Sequence, residues 1–460
     1  MLLTVAIAGA LVVVLTAAAI LAIVPAMARR AIQVVLTRPM SDTLAELVVS
    51  LKSTPAVDFL YSSLRAQTGG IVIRPMGSAR PAHGFDDLAL VPAQLARSPL
   101  ADSDPVDLSV VLGPRAERPL RASMPLYISG MAYGLALTKN ARIALARAAG
   151  AADIPLNSGQ GPFLEEERRL ARTYVLQFGR WTWNRDPAIL RQADMIEVQV
   201  GQGAMPGNAV IAAPTEVSPA IRELMGLAPG QSPIIHARLF LTDPDHPAPL
   251  AEVVRHLREA AYGVPIALKM GAGQDLERDL DVCLEAGVDV VVIDGTEGAT
   301  GNAPITLSDH FGITTLQALV RAERHLRASG RRHELTLAVS GGFREPGDVL
   351  KALALGADVV GLATIAMFAL AHHQITEAVP LYPPTDLLFY RARPRIPLDI
   401  EKGARGLVNF LESCRQEMTL ALRAMGHPSV AHLSPADLCA LDPDVAALTG
   451  VVYAGNATPG

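Results

Sequence analysis

The sequence predicts an α/β protein built on a (β/α)8 TIM barrel, with an N-terminal transmembrane helix and a helical C-terminal tail. Three observations carry this expectation. From Pro125 onward, short apolar runs alternate with amphipathic helical stretches eight times, the pattern of a parallel barrel of about 250 residues. The runs are continuous and mostly β-branched, as strands buried on both faces should be. Ahead of them, residues 1–28 carry no charged side chain.

The first element is that apolar run, MLLTVAIAGALVVVLTAAAILAIVPAMA, which stops at Arg29-Arg30. About 20 apolar helical residues cross a bilayer core of roughly 30 Å, so the run is long enough. A secretory signal peptide is the rival reading, and Ala26-Met27-Ala28 resembles a cleavage site. Such a peptide carries positive charge before its apolar core, and that core is only about 7–15 residues long. Here positive charge follows the run, at Arg29, Arg30, Arg38 and Lys52. That places the body of a single-pass membrane protein, and so its catalytic domain, in the cytoplasm.

Residues 29–115 read as a connector, with a polar helix candidate at Asp42–Leu51 and a Pro- and Gly-rich stretch through Arg74–Pro114. The barrel domain is expected over 116–425. Its eight strands are Leu126–Ser129, Ile154–Asn157, Tyr174–Phe178, Met195–Val200, Ile266–Lys269, Val290–Ile293, Leu335–Val339 and Val359–Leu362. Helical stretches lie between them at Asn140–Ala149, Leu250–Ala261, Asp275–Ala286, Thr315–Ala328 and Pro346–Ala354. An open doubly wound sheet is disfavoured, because no GxGxxG follows the first strand. The excursion Gly201–Val264 is too long for an ordinary connection and is expected to cover the barrel mouth. A long helix, Ile400–Met425, ends at Gly426 and Pro428, and residues 426–460 form a short tail.

Composition excludes several classes. Lys+Arg 40 against Asp+Glu 45 gives a net charge of -5 with no basic run, so a nucleic-acid partner is not expected. Cys283, Cys414 and Cys439 are too few and too far apart for a disulfide scaffold or a CxxC metal site. No metal centre is expected: the neighbouring His372 and His373 would point apart on a helix.

In a barrel the chemistry sits at the C-terminal ends of the strands. There the sequence places Ser129-Gly130-Met131, Asn157, Gln177, Gln202, Lys269, the Asp294–Gly301 loop, Ser340-Gly341-Gly342 and Gly361–Thr364. Glycines after the seventh and eighth strands free backbone N–H groups to face an anion, and a following helix N-terminus adds positive potential. Together they read as a phosphate cradle. Lys269 ends an apolar strand, where an ammonium is costly unless paired. Its partner is either an anionic ring or substrate, or a nearby carboxylate such as Glu197 or Asp294. Asn157 and Gln177 are amides suited to a heteroaromatic ring edge or to loop backbone.

These strand ends resemble the FMN-binding synthase domain of the glutamate synthase family, from about Val106 to the C-terminus. SGMAYG (129–134) resembles the segment under the flavin. NSGQGPF (157–163), LQFGRW (176–181) and GQGAMPG (201–207) are similar to the family's NTGEGG, QxASGRFG and QGAKPGEGG. ALKM (267–270), DGTEGATGNAP (294–304), SGG (340–342) and GLAT (361–364) resemble the flavin-facing lysine strand, the SGxDGGTGASP loop and the two phosphate loops.

The resemblance implies FMN as cofactor, held by Ser129, Gly130, Met131, Asn157, Gln177, Lys269, Gly301, Ser340, Gly341, Gly342, Gly361 and Thr364. Arg180 matches the arginine of the third strand-end motif. The implied reaction condenses ammonia with 2-oxoglutarate and reduces the imine to L-glutamate. Lys269, Glu297 as proton donor and Gln202 would serve that chemistry, with Gln202 toward the substrate; Arg238, suggested only by its spacing in the same excursion, would compensate toward the substrate for a missing carboxylate anchor.

The chain also departs from the family. Met205 stands where the family has a substrate-loop lysine. The segment Ala366–Thr376 lacks the cysteines that follow the eighth strand in the larger relatives, so no iron–sulfur cluster is expected. No amidotransferase domain is expected ahead of the barrel, which implies an ammonia-supplying partner protein, and a separate electron donor is also implied. The alternatives are another FMN barrel on a different substrate, such as a 2-hydroxy-acid oxidase or a type 2 isopentenyl-diphosphate isomerase, or a catalytically silent membrane-bound relative. An oxidase would need a histidine base, and none lies in the loop that begins at Ser340.

Overall fold

The computed structural model describes residues 2–39, 45–80, 82–205, 207, 210–211, 217–298, 300, 303–390 and 396–456. The chain divides into two compact units, Met1–Val72 and Ile73–Gly460. The boundary therefore falls inside the stretch read as a connector: 29–72 lies in the first unit, and 73–115 is built into the second.

The first unit holds three helices, α1 (Leu2–Thr37), α2 (Ala45–Ser53) and α3 (Ala56–Thr68). Helix α1 runs on past Arg29-Arg30 and includes Pro25, so it is longer than the apolar run alone. Its stretch Ala19–Thr37, with mean hydropathy 1.7, is long and apolar enough to cross a membrane by length and composition.

The second unit is a closed barrel of eight parallel strands: β1 (Leu126–Ile128), β2 (Leu156–Asn157), β3 (Tyr174–Gly179), β4 (Met195–Gln199), β5 (Ile266–Gly271), β6 (Val290–Asp294), β7 (Thr336–Ser340) and β8 (Val359–Leu362). The ring closes between β8 and β1, where Gly361 lies opposite Tyr127. All eight strands fall where the sequence places them, with ends shifted by one or two residues. Their outward residues pack under the main helices: α4 (Lys139–Ala152), α5 (Leu250–Ala260), α6 (Leu276–Glu285), α7 (Thr315–Ala328), α8 (Pro346–Ala354), α9 (Thr364–Ala371) and α10 (Ile400–Met425).

Local signals set the helix ends. Thr314 and Gln317 form a capping box at the start of α7. Asp399 caps α10 through the Lys402 N–H, and Gly426 ends it in the left-handed conformation. Helix α10 packs on α4 and α9, which makes it the closing layer of the barrel.

Segments outside the barrel complete the second unit. A hairpin of Val110–Leu112 and Leu120–Ala122 adds Leu112, Leu120 and Ala122 to the barrel interior. Leu88–Leu90 pairs antiparallel with Leu438–Ala440, joining the start of the unit to its tail. Ile73–Arg74 pairs with Ala303–Pro304 in the loop after β6. The excursion after β4 contributes Val217, Ile221, Met225 and Ile235 to a satellite core around Trp181 and Trp183.

Candidate functional site

Side chains alternate along a strand, so each barrel strand presents an inward series. In the lower interior the series is apolar: Tyr127, Val175, Met195, Ala267, Val290, Val292, Ala338 and Val359. One step further along, toward the C-terminal ends, every strand switches to a polar residue or glycine. These are Ser129, Asn157, Gln177, Glu197, Lys269, Asp294, Ser340 and Gly361, all buried except where they meet the cavity above. A packed apolar plug therefore carries a polar floor.

Above the floor lies a cavity of about 900 Å³, near the upper end of the ~300–1,000 Å³ typical of small-molecule sites. Of the residues expected to bind or react, Ser129, Gly130, Met131, Gln177, Gln202, Lys269, Glu297, Ser340, Gly341, Gly342, Gly361 and Thr364 line it. Three do not. Asn157 belongs to the floor but is fully buried and outside the cavity lining; its Oδ1 accepts from the Gly159 N–H and its amide donates to Glu197. Arg238 is exposed and lines a different surface groove beside Arg180, Gly207 and Leu239. The excursion turns it outward, so the compensating role expected from its spacing is not supported. Gly301 lies outside the described residues.

The floor is organised by charge. Lys269 Nζ lies 3.4 Å from Asp294 Oδ2. Burial alone would lower the pKa of the Lys269 ammonium, but the charges of Asp294 and Glu197 outweigh it and raise the value. Asp294 also accepts from Ser340 Oγ at 2.6 Å and from the Gly203 N–H at 3.2 Å. The lysine is thus carboxylate-paired and is also part of the cavity lining.

Gln177 and Asn157 share one acceptor. Gln177 Nε2 donates to Glu197 Oε1 at 2.7 Å, and Asn157 Nδ2 donates to the same oxygen at 2.8 Å. Because a carboxylate only accepts, both amides turn their NH2 groups toward it. Gln177 Oε1, Glu197 Oε2 and Ser129 Oγ are buried without a hydrogen-bond partner, an arrangement that calls for a ligand or ordered water. Behind the floor, the buried Arg142 guanidinium binds Glu167 through two bonds and donates to the Asn157 carbonyl at 2.9 Å.

On the other side the cavity meets loop backbone. Gly341 and Gly342 have φ of +108° and +82°, a conformation open to glycine and strained for other residues. A Cβ at Gly341 would lie 2.8 Å from both the Gly298 N and Thr315 Oγ1. The N-terminus of α9, at Thr364, borders the same space. Glu297 lines the cavity between the two regions. Its Oε2 accepts from the Thr315 N–H at 2.9 Å and from the Thr315 hydroxyl at 3.1 Å, capping α7. Burial raises the pKa of its carboxyl, with the Thr315 bonds acting against the rise.

Several lining residues were not read from the sequence. Segment 74–79 crosses the loop after β6: the Met76 N–H donates to the Thr300 carbonyl and the Ser78 N–H to the Thr296 carbonyl. An Arg74–Asp309 ion pair at 2.6 Å anchors the segment. It lies in a stretch without periodicity, so no pattern marked it. Phe368 and Tyr382 stack at 4.8 Å beside the cavity, and Phe389 also lines it. Glu197, outside the lining and named from the sequence only as a possible partner of Lys269, left a signal of the same kind as Lys269: an acidic residue inside the apolar run MIEVQV.

Fold and site together define a closed (β/α)8-barrel protein with a ligand cavity at the C-terminal mouth, built from a charged polar floor and a glycine-rich backbone cradle. The family model described as "Conserved region in glutamate synthase" matches residues 97–428. The chain belongs to the glutamate synthase family. It is 33% identical over 428 residues to the glutamate synthase large subunit-like protein of Rhizobium meliloti (strain 1021), covering 88% of this chain and 96% of that one. It is 27% identical to the archaeal-type glutamate synthase [NADPH] of Thermotoga sp. (strain RQ2), over 79% of this chain and 75% of that one. Among solved structures, a flavocytochrome b2 variant with benzoylformate superposes with a TM-score of 0.53 at 18% identity, covering 89% of this chain and 92% of that chain. At that identity the likeness shows the fold.

Proposed function

We propose that the protein is an FMN-dependent oxidoreductase acting between a 2-imino acid and the corresponding amino acid, with 2-oxoglutarate plus ammonia and L-glutamate as the first pair to test. The observation that carries this reading is Gln177, a lining residue whose buried Oε1 is an unpartnered acceptor, on the same floor as the Lys269 ammonium. A flavin's pyrimidine edge alternates carbonyl acceptors with one N–H donor, so it needs one acceptor and neighbouring cationic donors. The backbone cradle at Gly341, Gly342, Gly361 and Thr364 suits a phosphate. The residues present therefore fit FMN, and family membership supports it.

Bound FMN would supply hydride transfer in either direction. Ser129, Gly130 and Met131 would support the ring from the loop after β1. Gln177 would accept from its N–H and Lys269 would donate to its carbonyl edge. Glu297 would hold the proton that the new amine takes up, since burial favours its protonated form. Gln202 would contact the substrate from the loop after β4. Electrons would come from a separate donor, and ammonia from solution or from a partner protein. The apolar helix α1 would anchor the chain as a single-pass membrane protein with the barrel in the cytoplasm.

Met205 favours a second reading in which the same chemistry serves a different 2-oxo acid. Its sulfur lies 4.0 Å from Thr300 Oγ1, an apolar position where the family motif has lysine. The test is anaerobic reoxidation of the reduced holoprotein by a panel of 2-oxo acids with ammonium. Reoxidation with formation of an amino acid supports the reading. No reoxidation by any 2-oxo acid, with flavin bound, contradicts it.

A further inference from the structure

We infer that Glu197 is the positioning residue of the floor: it fixes which way the Gln177 amide faces and sets the local charge against which a flavin is reduced. The inference rests on the flavin reading above and goes beyond the contacts read from the sequence.

The geometry has two parts. Glu197 is fully buried on β4. Its Oε1 takes the NH2 groups of Gln177 at 2.7 Å and Asn157 at 2.8 Å, the first from the neighbouring strand β3 and the second from β2 beyond it. With its nitrogen committed there, Gln177 leaves its carbonyl oxygen as the group available to a ligand. A rotated amide would set NH2 against flavin N–H and carbonyl oxygen against carboxylate, two repulsive contacts in a buried place. Glu197 touches no cavity space itself, so it acts through Gln177.

The second part is charge. The floor holds one ammonium, Lys269, and two carboxylates, Asp294 and Glu197. A lone lysine beneath the pyrimidine edge would stabilise electron-rich reduced flavin and raise its potential. With both carboxylates present that effect is reversed, because one ammonium cannot neutralise two buried anions. The floor therefore makes bound flavin a stronger reductant, which suits delivery of hydride to an imine.

The test compares flavin-loaded wild type with Glu197→Gln and Glu197→Asp. Glu197→Gln keeps the size and removes the charge. We expect its flavin midpoint potential to rise by a tenfold shift in the reduction equilibrium, about 30 mV for a two-electron couple. Glu197→Asp keeps the charge and shortens the reach, so its potential stays near wild type while FMN affinity falls at least fivefold. A double-mutant cycle of Glu197→Asp with Gln177→Ala should show non-additive losses of FMN affinity, since one residue works through the other. This cycle decides the positioning role even if Glu197→Gln fails to fold. An unchanged potential in Glu197→Gln, or additive losses in the cycle, overturns the inference while leaving the flavin reading intact. A wild-type chain that takes up no FMN overturns the flavin reading and this inference with it.

Discussion

Lys269 and Asp294 meet at the C-terminal ends of neighbouring strands β5 and β6, ammonium to carboxylate at 3.4 Å, with both side chains buried. The pair is the charged centre of a floor to which every strand contributes a polar residue or, on β8, a glycine. It also explains how a lysine is tolerated at the end of an apolar strand and still faces a ligand.

Removing the lysine should therefore cost stability as well as ligand. In Lys269→Met, Asp294 and Glu197 are left as buried carboxylates without a cation. Breaking a buried pair in this way costs about 3–5 kcal/mol. Denaturant unfolding of the FMN-free protein should show the loss, and Lys269→Met with Asp294→Asn should recover part of it. Equal stability of Lys269→Met and wild type would mean that the lysine is not holding these carboxylates.

Glu297 gives a pH signature. Its pKa is raised by burial, so the protonated form persists to higher pH than for an ordinary carboxyl and is lost as pH rises through the raised value. If it donates the proton, the rate of reoxidation by imine falls on that limb. Glu297→Gln should be slower by about 10²–10⁴-fold, the usual worth of a general acid, and should lack the limb. A variant with the wild-type pH profile would remove Glu297 from the mechanism.

Gly361 tests the packing of the floor. An added Cβ would lie 2.4 Å from Ser129 Oγ and 2.6 Å from Tyr127 Cζ. Gly361→Ala should destabilise the barrel by about 1–3 kcal/mol, the range for overpacking, and shift Ser129 on the cavity wall. Thermal unfolding and FMN affinity should fall together, and a neutral substitution would show that β8 yields without strain.

Arg142 tests support from behind. It is fully buried, paired with Glu167, and bonded to the Asn157 carbonyl. Arg142→Leu leaves Glu167 uncompensated, at a cost of about 3–5 kcal/mol. Adding Glu167→Leu should restore stability but not FMN affinity, because the hold on Asn157 stays lost. Restoration of both would confine Arg142 to stability.

How far the sequence discloses the site depends on whether neighbours along the chain are also neighbours in space. The eight strands were legible because each is short, apolar and followed by glycine or a polar residue. Gln177 and Lys269 were legible because a polar side chain ending such a run needs a reason. Arg238 misled because spacing along a long excursion says nothing about direction, and the fold turns it outward. Asn157 sits at the expected strand end, on the floor, but outside the cavity lining: its side chain bonds Glu197 and the Gly159 N–H. The strap at 74–79 and the Phe368–Tyr382 stack come from distant, aperiodic segments, and only tertiary packing brings them to the cavity.

The most direct measurement is the flavin content of the purified full-length chain, by absorbance and by identification of the released chromophore. The floor and cradle predict a yellow protein that releases FMN, one per chain, and rebinds it after removal. A colourless protein that takes up no added FMN would contradict the account at its centre.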